Sequence, residues 1–321
     1  MNYDIIGDIH GHADALNALL SDMGYQAKQG AWRHADRQAI FVGDFIDRGP
    51  IQVGTVATVR RMVDAGSALA IMGNHEFNAI AWYLKCPGTA RRHLRTHTGS
   101  VGGKNLRQHE TFLKDAQGIA GQHKELVEWF LTLPLWLDLG CIRVVHACWH
   151  RQFMAYLQPR LAPGHRLTEA LMVEACREPK HERLKDTAEP TVFKAVEALT
   201  KGLEIPLPPP HSFLDKDGYR RHRVRARWWD REAMTFRLMA FIDKANPIEL
   251  PDALVPNHVR LGIEEGIPHF VGHYWLRGIP EPLHGNLACV DYSVAKRGKL
   301  VAYRWDGDPV LSMSGFHWVG K

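Results

Sequence analysis

Over its first 85 residues the chain alternates short apolar runs with amphipathic stretches. Residues 3–7 form an apolar run of strand length, and residues 12–24 carry Leu16, Leu19, Leu20 and Met23 at helical spacing, with Gly24 as a stop. Residues 38–42 and 68–72 read as two more strands, 53–65 as a second helix and 76–84 as the start of a third. This β-α-β-α-β-α order predicts an α/β core with buried parallel strands.

The period then fades. Residues 85–122 are basic, punctuated by glycine and weakly periodic, which predicts an insertion carrying one short helix at 104–113. A helix returns at 124–133, and 135–139 with 141–146 read as paired strands. From 150 to 261 the pattern departs again, with helical stretches at 167–176 and 191–203, the proline run EIPLPPPHSF and the basic segment DKDGYRRHRVRARWWDRE. That second insertion is expected to pack over the core as a lid. Strands resume at 268–272, 286–292, 300–305 and 309–313. The expectation is one domain over 1–321, with insertions at about 85–122 and 150–261.

Composition narrows the class. At 321 residues, 45% hydrophobic and 23% charged, the chain is globular and long enough to bury a large core. Its formal charge of +5 permits an anionic substrate but lacks the dense basic stripe of a nucleic-acid protein. Cys86, Cys141, Cys148, Cys176 and Cys289 contain no CxxC pair, which fits reduced thiols and excludes a zinc ribbon. The opening MNYDIIGDIHGH reaches acidic and histidine residues before a signal peptide's apolar stretch could form, and no run of ~18 apolar residues follows. A cytoplasmic protein without membrane contact is expected.

The candidate chemistry sits at the strand ends. IIGD (5–8), FVGD (41–44), IMGN (71–74) and FVGH (270–273) each read apolar, apolar, glycine, then a metal-competent side chain, and VVHA (144–147) places His146 after an apolar run. Ligands at strand ends gather at one edge of a sheet, where open α/β folds bind their substrates. Asp8 and His10 lie two residues apart and share a face in extended backbone. Taken singly, an aspartate at a strand-to-helix junction is commonly an N-cap, a lone histidine a satisfied polar residue, and Asp47–Arg48 a local ion pair. Taken together, Asp8, His10, Asp44, Asn74, His146 and His273 mix carboxylate, imidazole and amide without thiolate. Such a set suits Mn, Fe or Zn, and six ligands suit two ions ~3.5–4 Å apart that share a carboxylate.

GDIHG (7–11), GDFIDRG (43–49) and GNHE (73–76) resemble the three N-terminal signatures of the calcineurin-like metallophosphoesterases. The closest resemblance is to the phosphoprotein phosphatase branch, related to diadenosine tetraphosphate hydrolases and to the phosphatase module of bacterial polynucleotide kinase-phosphatases. VHA (145–147), GH (272–273) and the closing NLACVDYSVAKRGKLVAYRW resemble the family's later motifs. The resemblance covers roughly 1–85, parts of 135–150 and 268–306, and none of the insertions. Two departures stand out: CWH follows VHA, and DYS (291–293) replaces the DTG common among relatives.

The resemblance implies a four-layer α/β/β/α sandwich and two divalent ions, Mn first, with Fe, Zn, Ni or Co as alternatives. Asp8, His10 and Asp44 would hold one ion, and Asp44 would bridge to a second held by Asn74, His146 and His273. Arg48 would grip phosphate oxygens, and His75, oriented by Asp47, would protonate the leaving group. Attack would come from hydroxide formed between the ions. In RVRARWW, Arg223, Arg225 and Arg227 alternate, and Arg227 is selected as a second phosphate contact, against a solvated basic face with the tryptophans packed inward. RRHLRTHTG (91–99) is a further anion-binding candidate, although a basic loop is more often simply solvated.

These readings predict a phosphatase acting on phosphomonoesters, the substrate being a phosphorylated protein, nucleotide or small molecule. The alternatives are a symmetrical dinucleoside tetraphosphate hydrolase and a nucleic-acid-end phosphatase, the last supported only by the mild basic balance and the RWW stretch. A metal-stabilised binding module is disfavoured, because metal retention alone requires neither Arg48 nor the Asp47/His75 pair.

Overall fold

The computed structural model describes residues 2–214, 220–242 and 249–320. The first part follows the alternation: β1 (Asn2–Ile6), α1 (Ala13–Asp22), a hairpin of β2 (Gln26–Lys28) and β3 (Ala31–Arg33), β4 (Arg37–Phe41), α2 (Gln52–Asp64), β5 (Ala68–Ala70) and α3 (Asn74–Tyr83). Then come α4 (Gly99–Ala116), α5 (Gln122–Phe130), β6 (Trp136–Asp138) and β7 (Arg143–Val145). Between 150 and 261 lie α6 (Arg151–Leu157), α7 (Glu169–Ala175), α8 (Val192–Lys201), β8 (Glu204–Pro206), β9 (Phe213–Leu214), β10 (Arg220–Arg221) and β11 (Arg223–Arg225). The chain closes with β12 (His269–Val271), β13 (Leu287–Cys289), β14 (Asp291–Tyr292), β15 (Lys299–Trp305) and β16 (Phe316–Gly320).

Two sheets carry the core. In the first the order is β14-β15-β1-β4-β5, with β16 on β15; β1, β4 and β5 are parallel, and β15 joins β1 antiparallel with Tyr303 opposite Ile5. The two ends of the chain therefore share one sheet. In the second the order is β13-β12-β7-β6, with β12 parallel to both neighbours. Strand alternation sends Ile5, Ile40 and Val42 of the first sheet against Val144, Phe270 and Ala288 of the second. Each fully buried Ile, Val or Phe among them contributes roughly 1.5–3 kcal/mol. Ile6, Phe41, Val145 and Val271 bury instead with the helices. The result is the α/β/β/α layering of the calcineurin-like fold.

Several elements differ from the sequence reading. The helix placed at 104–113 extends over Gly99–Ala116, since His109, Phe112, Leu113 and Ala116 form a buried stripe that outweighs its glycines. The strand placed at 309–313 is absent: Val310 and Met313 are exposed, and the strand is Phe316–Gly320, whose N–H groups can pair with β15 where a Pro309 ring cannot. The β2–β3 hairpin and α6 carry too short a period to be read in advance. DKDGY at 215–219, within the basic segment, lies outside the described residues, as do Met1 and Lys321, the two ends of the expected domain. Among the described residues no helix is long and apolar enough to cross a membrane.

Candidate metal and phosphate site

Asp8, Asp44, Asn74, His146 and His273 each follow the end of a strand, namely β1, β4, β5, β7 and β12, and all are buried together with His10. Two groups have their donor atoms within 4.8 Å of one another: His10, Asp44 and His75, and Asp44, His146 and His273. Asp44 belongs to both. Asp8 stands outside these groups but is tied to the second, its Oδ2 accepting the His273 N–H at 3.1 Å.

Backbone contacts fix which atoms face inward. His10 Nδ1 meets the Ile46 carbonyl at 2.9 Å and His146 Nδ1 the Val42 carbonyl at 2.7 Å, so each Nδ1 donates to backbone and Nε2 is the nitrogen that faces the site. The Asn74 amide oxygen faces His273 Nδ1 at 2.8 Å and His146 Nε2 at 3.3 Å. Four inward atoms, Asp8 Oδ1, His10 Nε2, Asp44 Oδ2 and His273 Nε2, are buried and have no hydrogen-bond partner. An unsatisfied buried polar atom costs roughly 1–3 kcal/mol, and four in one cluster are not an accident of packing. Each is an electron-pair donor, and the oxygen and imidazole set fits borderline divalent cations.

Charge couples these groups to one another. Burial, reinforced by Asp291 and Asp44, pushes the Asp8 carboxyl well above the ordinary range. Burial would raise Asp44 too, but His146, His75 and His10 hold it well below. Burial opposes a charged His146, yet Asp44 and Asp8 push its pKa up to about 10. Burial, with His75 behind it, brings His10 down to about 3, so its Nε2 stays available as a donor.

Two glycines of the repeated pattern, Gly73 and Gly272, make room for these carboxylates. A Cβ on Gly272 would stand 2.1 Å from Asp8 Oδ1, and one on Gly73 2.2 Å from Asp44 Oδ1. Left-handed backbone also concentrates here. His10, Asp44, Asp47, Arg48, His273 and Trp275 have φ between 48° and 76°, six of the ten such non-glycine residues described. At roughly 1–3 kcal/mol each, such strain persists only where its surroundings enforce it. Glu76 is one enforcer: its carboxylate accepts the N–H groups of Asp44 (2.8 Å), Phe45 (2.8 Å) and Gly73 (3.0 Å), joining two signature loops. Burial and the nearby Asp44 push Glu76 up to about 7.

Beside the cluster, His75 Nδ1 meets Asp47 Oδ2 at 2.5 Å, and His75 Nε2 stands 3.4 Å from Arg48 Nη2 and 3.8 Å from Asp44 Oδ2. The Arg48 guanidinium lies over the Trp275 ring, 4.7 Å from its centroid. Asp47 has a second imidazole, His109 of α4, whose Nδ1 stands 2.7 Å from Oδ1. Burial works against an ionised Asp47, but His75 and His109 hold its carboxyl well below the usual range. The sequence reading passed over His109, although the spacing of 109, 112, 113 and 116 marks it as a polar residue on a buried stripe.

The cluster opens into a cleft of 2310 Å³ lined by Arg48, Arg95, Lys201, Arg225, His273 and Trp275, among others. Arg227, the sequence choice for a second phosphate contact, does not line it; its Nη2 stands 3.4 Å from Asp230. Arg225 lines it instead and lies close enough that, after burial, it is the main influence lowering His273. The physical reason is that β11 ends at Arg225, so the alternation of 223 and 225 does not continue to 227, and Trp228 and Trp229 pack inward. Of RRHLRTHTG, Arg95 reaches the cleft, whereas His93 and His97 stack at 4.1 Å, with His97 on Trp82 at 3.6 Å.

The two departures from the motifs have local explanations. Ser293 of DYS takes φ 62° where DTG would have glycine, with its hydroxyl on the Leu276 carbonyl at 3.2 Å. CWH starts α6: the His150 side chain caps it by accepting the Phe153 N–H at 3.4 Å, and Cys148 is buried.

The family model for calcineurin-like phosphoesterases matches residues 1–167 of the 321. Among curated proteins, the chain is 34% identical over 149 residues to the bis(5'-nucleosyl)-tetraphosphatase PrpE [asymmetrical] of Oceanobacillus iheyensis, covering 46% of this chain and 55% of that one. It is 40% identical over 86 residues to the protein of the same name from Bacillus subtilis, covering 26% and 35%. The chain thus spans about half, or less, of the curated relatives it matches. Among solved structures, a cold-active protein-tyrosine phosphatase of a Shewanella species superposes with a TM-score of 0.47 at 15% identity, covering 99% of this chain and 80% of that one. A protein serine/threonine phosphatase from Saccharomyces cerevisiae gives 0.47 at 12% identity, covering 100% and 79%.

Proposed function

The chain belongs to the calcineurin-like phosphoesterases, which are hydrolases that use divalent metals, and on that premise we propose that it hydrolyses phosphate monoesters at a two-ion site. Asp8, His10 and Asp44 would hold one ion, and Asp44, Asn74, His146 and His273 the other, with Mn first among the candidates. Divalent ions held there would lower the pKa of bound water and offset charge on the phosphoryl oxygens. The observation that carries the proposal is the set of four buried, unpartnered donor atoms beside the Arg48–His75 contact.

The chain's own groups have separable tasks. Arg48, exposed at the cleft floor and seated on Trp275, presents a planar fork suited to two phosphoryl oxygens. His75 is oriented through Nδ1 by Asp47, which leaves Nε2 to pass a proton to the departing oxygen. Arg225 takes the place of Arg227 as the second phosphate contact. We propose further that all of this is one domain with two insertions, supported by the β1–β15 pairing that joins the chain's ends, working in the cytoplasm on a phosphorylated protein, nucleotide or small molecule.

A second reading is cleavage of dinucleoside tetraphosphates, favoured by the names of the curated relatives and by a cleft far larger than one phosphoryl group. Those names say asymmetrical where the sequence reading expected a symmetrical hydrolase. The test is hydrolysis of p-nitrophenyl phosphate, an alkyl phosphate, phosphopeptides and diadenosine tetraphosphate by protein loaded with Mn, Co, Ni or Zn. Monoester turnover with the higher kcat/KM supports the first reading, preference for the tetraphosphate supports the second, and no turnover on any substrate overturns both. His75→Asn is expected to keep its metal and lose roughly 10²–10⁴-fold in kcat on the alkyl ester, and less on the aryl one. Equal losses would remove His75 from the role of acid.

A further inference from the structure

We infer that His109, carried by α4 in the first inserted stretch, is a positioning residue for His75 and acts through Asp47. The inference rests on the reading of His75 as the leaving-group acid and extends it to a residue outside the strand-end motifs.

Asp47 has two carboxylate oxygens, and each is claimed by a different imidazole: Oδ2 by His75 Nδ1 at 2.5 Å and Oδ1 by His109 Nδ1 at 2.7 Å. A carboxylate held at one oxygen can still pivot about its terminal torsion, which is broad. Held at both, its plane is fixed, and so is the ring of His75. His109 is well placed to act as the fixed end. It is 2% exposed, and its ring packs 4.8 Å from Phe112 and 6.2 Å from Trp82. Its Nε2 is buried with no hydrogen-bond partner, so Asp47 is the polar anchor that sets the ring's orientation.

The same helix grips the turn a second time. Asp115 Oδ2 accepts the N–H groups of Gln52 and Val53, each at 2.9 Å. Gln52 in turn accepts the Asp47 N–H at 2.5 Å and donates to the Gly49 carbonyl at 2.5 Å. Asp47 and Arg48 are consecutive left-handed residues, φ 69° and 76°, a conformation that needs this outside support. Through His109 and Asp115, α4 therefore sets both the side chain and the backbone of the segment that orients His75 and presents Arg48.

Two substitutions separate positioning from mere filling of space. His109→Phe keeps a ring of similar size and drops the donor; His109→Asn keeps a donor at the Nδ1 position and drops the ring. If His109 positions His75, the Phe variant loses roughly 10- to 100-fold in kcat on an alkyl phosphate with KM nearly unchanged, the range typical of lost outer partners. Its loss on p-nitrophenyl phosphate, whose leaving group needs no proton, is several-fold smaller, and Asn restores most of the alkyl activity despite a lower Tm. A space-filling role gives the reverse order, with Phe tolerated and Asn impaired, and that result overturns the inference.

A second readout needs no turnover. In the zinc-loaded chain, proton NMR should show two exchange-protected imidazole N–H resonances, from His75 and His109. Both groups are bound to the Asp47 carboxylate and should therefore resonate downfield of the carbonyl-bound imidazole N–H groups of His10 and His146. His109→Phe should remove one and displace the other, while His109→Asn leaves the His75 resonance near its original position. A His75 resonance unmoved by His109→Phe overturns the inference. Absence of alkyl and aryl turnover in the parent protein would instead overturn the acid role of His75, leaving the NMR result to decide whether His109 sets its geometry.

Discussion

At the cleft, strand-end residues meet residues from the stretches 85–122 and 150–261, which the sequence reads as insertions, and the two sets are held in different ways. Asp8, His10, Asp44 and His146 are buried and aimed by backbone: the His273 N–H on Asp8, the Ile46 carbonyl on His10, the His75 N–H on Asp44, the Val42 carbonyl on His146. Arg95 from the loop before α4, Lys201 from the end of α8 and Arg225 from the end of β11 reach the same space on long, partly exposed side chains. The first arrangement is preorganised, with its strain and desolvation met at folding, and can favour charge that develops in a reaction. The second keeps its charges on flexible stems and can adjust to the substrate, at a cost in ordering when one binds. α4 crosses this division, since one of its residues reaches the carboxylate that orients His75.

The largest expected effect lies in the strand-end cluster. Asp44→Asn retains an oxygen for the His75 N–H but removes the charge common to both ligand groups. It also removes a carboxylate that raises its neighbour Asp8. Against that, although burial opposes it, His146, His75 and His10 hold the Asp44 carboxyl well below its ordinary range, so the metal-free parent draws stability from it at neutral pH. With chelator present, the variant should therefore melt lower than the parent. With Mn at roughly 100 times its Kd the parent should gain about 2.7 kcal/mol, and the variant should lose that gain together with more than ~100-fold in turnover, beyond what outer partners of a metal cost. Thermal melts with and without Mn, alongside bound-metal analysis, check this. A variant that keeps the parent's Mn-induced shift would mean that Asp44 is not shared between ions.

The inserted side should respond differently. Arg225→Met should lower kcat/KM by roughly 10- to 100-fold, the worth of one charge-assisted contact, with the Mn-induced shift in Tm intact. Arg227→Met, away from the cleft and beside Asp230, should change kcat/KM by less than about twofold, as solvated surface pairs usually do. Steady-state kinetics on one phosphate ester are enough to compare them. If Arg227→Met proves the more damaging, the inserted segment rearranges around substrate and the cleft is read from the wrong end.

What the sequence allowed to be read divides along the same line. The strand-end residues were legible because they share a local mark: an apolar run, in four of the five segments a glycine that leaves room for backbone or a carboxylate to cross closely, then a donor. Glu76 was visible as the last letter of GNHE, but its three backbone contacts bring together loops more than 25 residues apart, which no local pattern records. The choice between Arg225 and Arg227 depended on where a three-residue strand stops, and pairing with β8 decides that. His109 carried a signal in its helical spacing, yet its partner Asp47 lies 62 positions earlier. Burial can be read from period; a partner across the fold cannot.

The smallest effect tests a departure that sits inside a strand-end motif. Ser293→Gly would restore the glycine common in DTG. The substitution removes a left-handed serine, a gain of about 1 kcal/mol or somewhat more. It also loses the partly buried hydroxyl bond to the Leu276 carbonyl, about 0.5–1.5 kcal/mol, and loosens the unfolded chain by a further ~0.4–1 kcal/mol. These terms nearly cancel, so the urea midpoint should shift by the equivalent of less than about 1 kcal/mol, and in the destabilising direction. The Ser293 N–H to Asp291 Oδ1 bond, 3.0 Å, survives the change, so Asp291 should go on holding the Trp275 N–H and, through Trp275, the ring under Arg48. Turnover should accordingly stay within twofold of the parent. A large fall in turnover at unchanged stability would mean that the serine hydroxyl, rather than the backbone turn, sets the Trp275 platform, and would move residue 293 into the substrate-binding side of the comparison.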